Sequence, residues 1–240
     1  MSEAALAQAI YEKLGGDPKK PEPVKPPRQV GDTIIHYCAQ GTSDWFNLRA
    51  GIPTASCFDK IITPGGNPSK SAEPYMFRLL AERIMGHPVE EFTSRWMERG
   101  SGMEAEAVNF YQFQRECETE KVGFVTNLAG TIGASPDRRV HDNGEDGLLE
   151  IKVPAEHTHM SYLLQSGSAY EEYRVQVQGQ LWVTGAKWSD VLSYHPELPP
   201  ALMRIQRDEK FIEKLSAAVT AFSGVLDAKA EECRAKGWLK

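Results

Sequence analysis

The sequence predicts an α/β (α+β) fold in which a central mixed β-sheet is flanked by helices. Helical patterns fill residues 72–86 and 96–118, and short β-rich runs follow between residues 121 and 154. Further helices, two strands and a long C-terminal helix complete the chain, an order that is typical of a sheet covered by helices. With 240 residues, of which 41% are hydrophobic, the chain can bury a sizeable core.

The N-terminal part of the chain differs from the rest. Residues 2–14 predict a short helix that a Gly-Gly pair ends, and residues 17–32 are charged and rich in proline. Because proline disfavours both helix and sheet, we expect an extended arm here. The sequence therefore predicts an N-terminal helix and arm over residues 1–32 and a single domain over residues 33–240.

Turn residues and hydrophobic periodicity predict the elements of the main domain. Residues 33–37 indicate a short strand. Two short helices are expected next, the first with Ser43 or Asp44 near its N-cap and the second with Thr54 as its N-cap. The remaining predicted helices span 72–86, 96–118, 156–165, 169–184 and 208–236, and the remaining predicted strands span 121–127, 130–137, 147–154, 188–196 and 201–208.

Charge and cysteine usage argue against several classes of protein. The formal net charge is −6, whereas domains that bind nucleic acid nonspecifically are usually basic. The four cysteines form no CxxC pair, so neither a structural zinc site nor an iron–sulfur cluster is predicted. Free thiols indicate a cytoplasmic protein, and we expect no membrane partner because the sequence has neither a long apolar stretch nor a signal peptide.

The segment from residue 135 to residue 154, SPDRRVHDNGEDGLLEIKVP, carries the candidate chemistry. Its apolar end alternates with a period of two, which places Glu150 and Lys152 on the strand face opposite Leu149 and Ile151. The polar turn DNGEDG reverses the chain, so we expect Asp137 to return close to Glu150. Two carboxylates and an amine would then share one partly buried place.

Such a group of side chains suits a hard divalent cation. Two carboxylates held close together repel each other unless a cation lies between them. Mg²⁺ prefers oxygen ligands, and it can polarise a phosphodiester and lower the pKa of a water molecule. The alternative is a weak ion pair between solvent-facing residues of an edge strand, which a bare ExK pattern alone would favour.

The pattern of an aspartate after proline and then ExK resembles the PD-(D/E)xK nuclease superfamily and its restriction-endonuclease-like core. Five segments occur in the order and rough spacing of the phage lambda exonuclease, or YqaJ-like viral recombinase, family. They are QGTSDWFNLRAGIPTAS (40–56), GSGMEAEA (100–107), GASPD (133–137), LLEIKVP (148–154) and YRVQVQGQLWVTG (173–185). The resemblance spans about Gln40 to Tyr194 and leaves both tails uncovered.

The resemblance implies a catalytic metal site. Its residues would be Asp137 and Glu150 as metal ligands, the backbone carbonyl of Ile151 as a further ligand, and Lys152 serving the attacking water. The family pattern G-x-x-x-E-x-x-A adds Glu104 to the catalytic and metal-binding residues. Helical periodicity alone does not choose between Glu104 and its neighbour Glu106. The implied cofactor is Mg²⁺, with Mn²⁺ as a substitute.

The resemblance also implies a pocket for the 5′-terminal phosphate of DNA. Arg49, Ser56 and Ser135 would line it, and Gln176 would lie close to the active site. An arginine can grip a phosphate with two hydrogen bonds, and a helix N-terminus favours an anion. The alternative is that Arg49 and Ser56 have only structural roles at the ends of their helices.

The function implied by the family is a Mg²⁺-dependent 5′-to-3′ exonuclease. It would degrade one strand of double-stranded DNA from its ends and leave 3′ overhangs for recombination by strand annealing. The expected assembly is a ring-like homotrimer, with a single-strand annealing protein as a possible partner. Open alternatives are an endonuclease of the same superfamily and a catalytically weak DNA-end-binding module. Many relatives have glycine and an apolar residue after the aspartate, whereas this chain has Arg138 and Arg139.

Overall fold

The computed structural model describes residues 25–89, 95–165 and 167–239. The predicted N-terminal helix over residues 2–14 and most of the arm lie outside the described residues. Within the described ranges, no helix is long and apolar enough to cross a lipid bilayer.

The described helices begin and end close to the predicted positions, whereas the strands differ more from the prediction. The helices are α1 (Ser43–Arg49), a 3₁₀ helix (Ala55–Lys60), α2 (Ala72–Met85), α3 (Arg95–Arg115), α4 (Glu156–Leu164), α5 (Ser168–Thr184) and α6 (Glu209–Ala235). The strands are β1 (Arg28–Val30), β2 (Thr33–His36), β3 (Thr119–Glu120), β4 (Phe124–Asn127), β5 (Gly133–Ala134), β6 (Arg138–Asp142), β7 (Glu145–Lys152), β8 (Trp188–Ser193) and β9 (Ala201–Gln206).

The larger sheet is mixed and has five strands in the order β3-β6-β7-β8-β9. Strands β7 and β8 run parallel, and the other neighbouring pairs are antiparallel. This arrangement confirms the predicted central mixed sheet. It also makes β7 an interior strand, with a hydrogen-bonded neighbour on each side.

A second sheet was not predicted from the sequence. Strands β1, β2, β4 and β5 pair in that order, all antiparallel. Strand β1 comes from the end of the predicted arm, and its residue Arg28 pairs with Ile35 of β2. The last proline of the arm is Pro27, so the following residues keep the N–H groups that a strand needs.

Four local expectations need correction. The predicted helix from residue 54 to residue 62 is a 3₁₀ helix over Ala55–Lys60, and its N-cap Thr54 makes no side-chain capping hydrogen bond. The cap of α1 is Thr42, whose side chain accepts a hydrogen bond from the backbone N–H of Trp45. The predicted strand from residue 130 to residue 137 is reduced to β5, since Pro136 has no N–H to donate. Strand β6 (Arg138–Asp142) was not among the predicted strands.

Helices pack on both faces of the central sheet. On one face, Ala107 and Tyr111 of α3 contact Leu149. On the other face, Val177 and Leu181 of α5 contact Leu148. Both leucines are fully buried, so β7 runs through the interior of the molecule. A third apolar cluster joins the 3₁₀ helix, α2 and α6.

Candidate active site

The hairpin of β6 and β7 brings the predicted acids together. Its turn has Asn143 and Gly144 at φ 53° and φ 81°, the left-handed conformation that a tight two-residue hairpin requires. In the resulting register, Arg138 pairs with Leu149, so Asp137 lies beside Glu150 at the end of the hairpin. The predicted chain reversal and the approach of these two acids are both confirmed.

Strand β7 has the two faces that its alternation predicts. Leu149 and Ile151 pack in the cluster under α3. Glu150 and Lys152 point to the opposite face, where both contact α5 through Gln176. Glu150 is only 4% exposed, so the alternative of a solvent-facing pair on an edge strand is wrong.

Glu150 is held at both carboxylate oxygens. Its Oε1 accepts hydrogen bonds from Lys152 Nζ at 2.7 Å and from Gln176 Nε2 at 2.6 Å. Its Oε2 accepts from Gln180 Nε2 at 2.7 Å. A buried carboxylate is tolerated only when it is paired and hydrogen-bonded, and these three donors meet that need.

Asp137 lies in an environment that disfavours its ionised form. Burial and the neighbouring charge of Glu150 raise the pKa of Asp137 well above its usual value. Its Oδ2 accepts a 2.6 Å hydrogen bond from the backbone N–H of Ile151, which acts in the opposite direction. The carboxyl is thus fixed in place but lacks a full counter-charge.

Lys152 is an ammonium group in this site. Desolvation acts to lower its pKa, but the carboxylates of Glu150 and Asp137 outweigh that effect, and the pKa of Lys152 is raised. The amine also donates to Gln176 Oε1 at 3.2 Å and lies 4.1 Å from the centre of the Tyr173 ring. Lys152 is therefore a hydrogen-bond donor and a positive charge at neutral pH.

The donors around Asp137 and Glu150 fit one hard divalent cation. Two carboxylates and a backbone carbonyl, such as that of Ile151 on the same strand as Glu150, are ligand types that Mg²⁺ takes from proteins. The raised pKa of Asp137 marks a site where an added positive charge would stabilise the ionised acid. In the part of the chain that the structure describes, no group of three or more His, Cys, Asp or Glu side chains is placed to hold a metal ion.

Glu104 lies near the two acids but is held by an arginine. Arg138 Nη1 donates to Glu104 Oε1 at 2.6 Å and to the backbone carbonyl of Asp137, also at 2.6 Å. The neighbouring Glu106 instead accepts a 2.6 Å hydrogen bond from Tyr194 Oη. The structure thus separates the two glutamates that helical periodicity could not, although the role of Glu104 as a metal ligand stays a prediction.

The three residues expected to line a phosphate pocket lie together. Arg49 Nη1 donates to Ser135 Oγ at 3.0 Å, and Arg49 Nη2 donates to Ser56 Oγ at 3.3 Å. The guanidinium lies over the Trp45 ring, 4.1 Å from its centre, and Trp45 Nε1 also donates to Ser135 Oγ. Ser56 is exposed, so an anion in solution can reach this group of side chains. The helix that carries Ser56 is a short 3₁₀ helix, so its N-terminus attracts an anion only weakly. Most of the attraction of this pocket for an anion therefore comes from Arg49 and the serine hydroxyl groups.

Gln180 is a site residue that the sequence analysis missed. It is 1% exposed, and its Nε2 approaches Ser135 O at 3.5 Å as well as Glu150 Oε2. It therefore connects the pocket around Arg49 with the acidic site. The signal was its spacing of four residues from Gln176, which places both amides on one face of α5.

Comparisons with known proteins identify the family and the fold of the chain. Residues 44–187 match the family described as YqaJ-like viral recombinase domain. Two structures of the alkaline exonuclease LHK-Exo from Laribacter hongkongensis, one in complex with dAMP, are similar to this chain. Their sequence identities are 31% and 32%, their TM-scores are 0.71 and 0.72, and each alignment covers 82% of this chain and 98% of the other.

A phage-related exonuclease from Haemophilus somnus is also similar in fold, with a TM-score of 0.58 at 16% identity and coverage of 78% of this chain and 98% of the other. No curated protein matches the sequence. The family match and the two LHK-Exo structures lead to one conclusion: the chain belongs to the YqaJ-like viral recombinase family, which has the fold of lambda-exonuclease-like nucleases.

Proposed function

We propose that this protein is a Mg²⁺-dependent 5′-to-3′ exonuclease that degrades one strand of double-stranded DNA from its ends. The single observation that carries the proposal is the placement of Ser135 and Asp137. These residues are two positions apart, and they join an arginine-lined anion pocket to two carboxylates, of which Glu150 is buried and Asp137 is half-buried. A terminal phosphate held in the first would bring a nearby phosphodiester toward the second.

The proposed ligands of the metal ion are the carboxylates of Asp137, Glu150 and Glu104 and the backbone carbonyl of Ile151. When bound, a divalent ion supplies Lewis acidity that polarises the scissile phosphodiester and makes water a better nucleophile. Gln176 and Gln180 hold the Glu150 carboxylate in one orientation. This leaves the site little reorganisation to do when substrate enters.

Lys152 contributes a positive charge close to the reacting phosphate. Its raised pKa keeps the amine protonated at neutral pH, so in this state it donates hydrogen bonds rather than removing a proton. A donor at this place orients water and offsets the negative charge that develops on the phosphate oxygens. The ammonium group of Lys152 is held in one orientation by a cation–π contact with the Tyr173 ring and by hydrogen bonds to oxygens of Glu150 and Gln176.

Arg49 and Ser56 are proposed to bind the 5′-terminal phosphate, with Ser135 between them and the acids. The aromatic face of Trp45 holds the guanidinium in place, which reduces the entropy lost when an anion binds. The similar LHK-Exo was solved with dAMP, which carries a phosphate of this type. Recognition of a 5′-terminal phosphate would explain why the enzyme degrades DNA from its ends and in the 5′-to-3′ direction.

The proposed biological role is to make 3′ single-stranded overhangs for strand annealing. A ring-like homotrimer around DNA would let a chain with net charge −6 stay on its substrate without a broad basic surface. A single-strand annealing protein is the proposed partner that receives the overhang.

Digestion of end-labelled linear duplex tests the proposal. We expect release of mononucleotides from 5′ ends with Mg²⁺ or Mn²⁺, no release with EDTA, and faster release from 5′-phosphate than from 5′-hydroxyl ends. Cutting of closed circular DNA at the same rate would indicate an endonuclease. End binding without any release would indicate a binding module.

The variant Arg49→Ala tests the anion pocket separately. We expect it to lose most of the preference for 5′-phosphorylated ends, because the removed guanidinium supplies charge-assisted hydrogen bonds to phosphate. A loss of roughly tenfold or more in that preference corresponds to about 1.4 kcal/mol or more. The control is Arg234→Ala on α6, an exposed arginine paired with Glu231. An Arg49→Ala protein with an unchanged ratio of the two rates would contradict the pocket.

A further inference from the structure

The amine of Lys152 has an aromatic contact in addition to its hydrogen bonds. Its Nζ lies 4.1 Å from the centre of the Tyr173 ring. Tyr173, Gln176 and Gln180 follow one another on α5 with spacings of three and four residues, so they lie on one face of that helix. Because a lysine amine ends a flexible four-carbon stem, it stays in one place only where its contacts fix it. The position of the Tyr173 ring therefore helps to decide where the amine lies.

The hydroxyl group of Tyr173 is in turn contacted by a tyrosine of α4. Tyr162 is 6% exposed, and its Oη donates to Glu172 Oε2 at 2.5 Å. Hydrogen bonding also links the hydroxyl groups of Tyr162 and Tyr173. Burial and these hydrogen bonds raise the pKa of Tyr162, so its hydroxyl group stays protonated at neutral pH. One buried hydroxyl group thus connects α4 with the residue whose ring lies against Lys152.

Helix α4 is a fixed support for Tyr162. His159, three residues earlier, is fully buried. Its Nδ1 lies 2.7 Å from Ser193 Oγ, and its Nε2 lies 2.9 Å from the carbonyl oxygen of Pro199. These contacts join α4 to the end of β8 and to the connection between β8 and β9. The sheet therefore sets the position of α4, and Tyr162 carries that position to Tyr173.

We propose that Tyr162 is a positioning residue that sets the place of the Lys152 amine through the ring of Tyr173. Glu150 is also a proposed metal ligand, so its hydrogen bond with the amine competes with the ion. The contact between the amine and the ring involves no metal ligand and is free of that competition. The inference rests on the proposed function, in which the amine orients water and offsets charge on the phosphate. It adds a residue of α4 to the groups on which that function depends.

Another tyrosine, Tyr170 of α5, offers a matched control. Its hydroxyl oxygen accepts a 3.0 Å hydrogen bond from Gln178 Nε2, and its side chain is half-buried. The same Gln178 nitrogen donates to the carbonyl of Gln206, on the far side of α5 from Glu150. Tyr170→Phe and Tyr162→Phe each keep a ring and remove one hydrogen-bonded hydroxyl group. Only the second change affects a group that contacts Tyr173.

The first test observes Lys152 directly, by NMR of the full chain with ¹³C-labelled lysine in EDTA. The face of an aromatic ring shields nearby protons, so the Hε signals of Lys152 should lie upfield of those of exposed lysines. Their absence in Lys152→Met assigns them. In Tyr162→Phe we expect these signals to move toward the position of exposed lysines, and in Tyr170→Phe we expect no change.

The second test measures kcat and KM on duplex with 5′-phosphorylated ends. Tyr162→Phe should lower kcat by about three- to tenfold, the effect of one lost hydrogen bond, and leave KM unchanged. Tyr173→Phe should show a similar loss. The double variant should lose no more than either single variant, because Tyr162 acts through Tyr173. Tyr170→Phe should keep its kcat.

The outcomes separate this inference from the proposed function. Unchanged Lys152 signals in a folded Tyr162→Phe protein, or losses of kcat that multiply in the double variant, would overturn the role of Tyr162. Equal losses of kcat in Tyr162→Phe and Tyr170→Phe would do the same. If Tyr162→Phe does not fold, Glu172→Gln weakens the same contact, keeps both rings and replaces it in both tests. A wild-type protein that degrades no DNA would overturn the proposed function, and the NMR comparison would still decide whether Tyr162 places the amine.

Discussion

Glutamine amides of α5 hold the carboxylate of Glu150 in place. Gln180 Nε2 binds Glu150 Oε2, whereas Gln178, two residues earlier on the same helix, points away from the site. Gln178 donates to Tyr170 Oη and to the carbonyl of Gln206, both at 3.0 Å. The two glutamines are equally buried, at 1% and 0% exposure. They therefore allow the effect of a contact with Glu150 to be separated from the effect of a buried amide.

Gln180→Met should lower kcat more than it changes KM for duplex ends. A hydrogen bond to a charged group contributes roughly 1.5–3 kcal/mol, so we expect kcat to fall by about ten- to a hundredfold. Steady-state digestion of 5′-phosphorylated duplex measures both constants. Gln178→Met should lose thermal stability but keep its kcat. Equal losses of kcat in the two variants would show that Gln180 has only a structural role.

At the scale of elements, the 3₁₀ helix that carries Ser56 is held against α5 at a glycine. A Cβ atom at Gly179 would lie 2.6 Å from the Phe58 ring and 3.4 Å from Ala55 Cβ. Pro53 also accepts a backbone hydrogen bond from Gly133 at 3.1 Å. The close approach sets the position of the anion pocket relative to the acids that α5 contacts.

Gly179→Ala should destabilise the protein and weaken the preference for 5′-phosphorylated ends. Overpacking costs typically about 1–3 kcal/mol, which exceeds the gain of up to about 1 kcal/mol from replacing a helical glycine by alanine. The matched control is Gly224→Ala on α6, where an added Cβ meets nothing within 4 Å and only the gain applies. In thermal melting experiments, Tm should therefore fall for Gly179→Ala and rise for Gly224→Ala. A Gly179→Ala protein as stable as Gly224→Ala would contradict the tight contact.

Local patterns in the sequence were sufficient for the elements with clear periodicity. The alternation around Glu150 predicted both faces of β7, because each position on a strand is set by its own neighbours. Strand β6 was missed because its charged residues are satisfied by partners distant in sequence, as Arg138 is by Glu104. Gln180 was missed for the same reason, since a polar helix residue reveals its buried partner only after tertiary packing. The predicted role of each site residue depended on the family resemblance rather than on periodicity.

At the scale of the whole molecule, the ionised carboxyl of Asp137 lowers stability in the absence of a cation. Asp137 has a raised pKa in the fold, so its ionised form is less favourable there than in the unfolded chain. The unfolded chain releases this proton near the usual value of 3.8, and the folded chain releases it only at higher pH. Stability from this group is therefore lost as pH rises from 3.8 through the raised pKa. Sites that carry such a penalty are common where function requires close charges.

Asp137→Asn should accordingly stabilise the protein when divalent ions are removed. The amide keeps an oxygen that can accept from the Ile151 N–H but carries no charge beside Glu150. With EDTA at pH 8 we expect Tm to rise by a few degrees, since 1 kcal/mol corresponds to about 2–4 °C for a domain of this size. The gain should shrink as the pH is lowered toward 4, where the wild-type carboxyl becomes protonated in the fold.

Adding Mg²⁺ should reverse the order of the two proteins. A ligand that binds only the folded state stabilises it by about 2.7 kcal/mol at one hundred times its Kd, and the wild-type protein alone keeps both acids. The exposed Asp59, which lies beside Lys60, provides the control Asp59→Asn, for which the presence of Mg²⁺ or EDTA should not matter. Two results together would contradict this argument: a wild-type Tm that does not change with Mg²⁺, and a Tm of Asp137→Asn in EDTA that is no higher than that of the wild type. They would mean that the carboxylates of Asp137 and Glu150 do not repel each other in the fold. The reason for a cation at this place would then be lost.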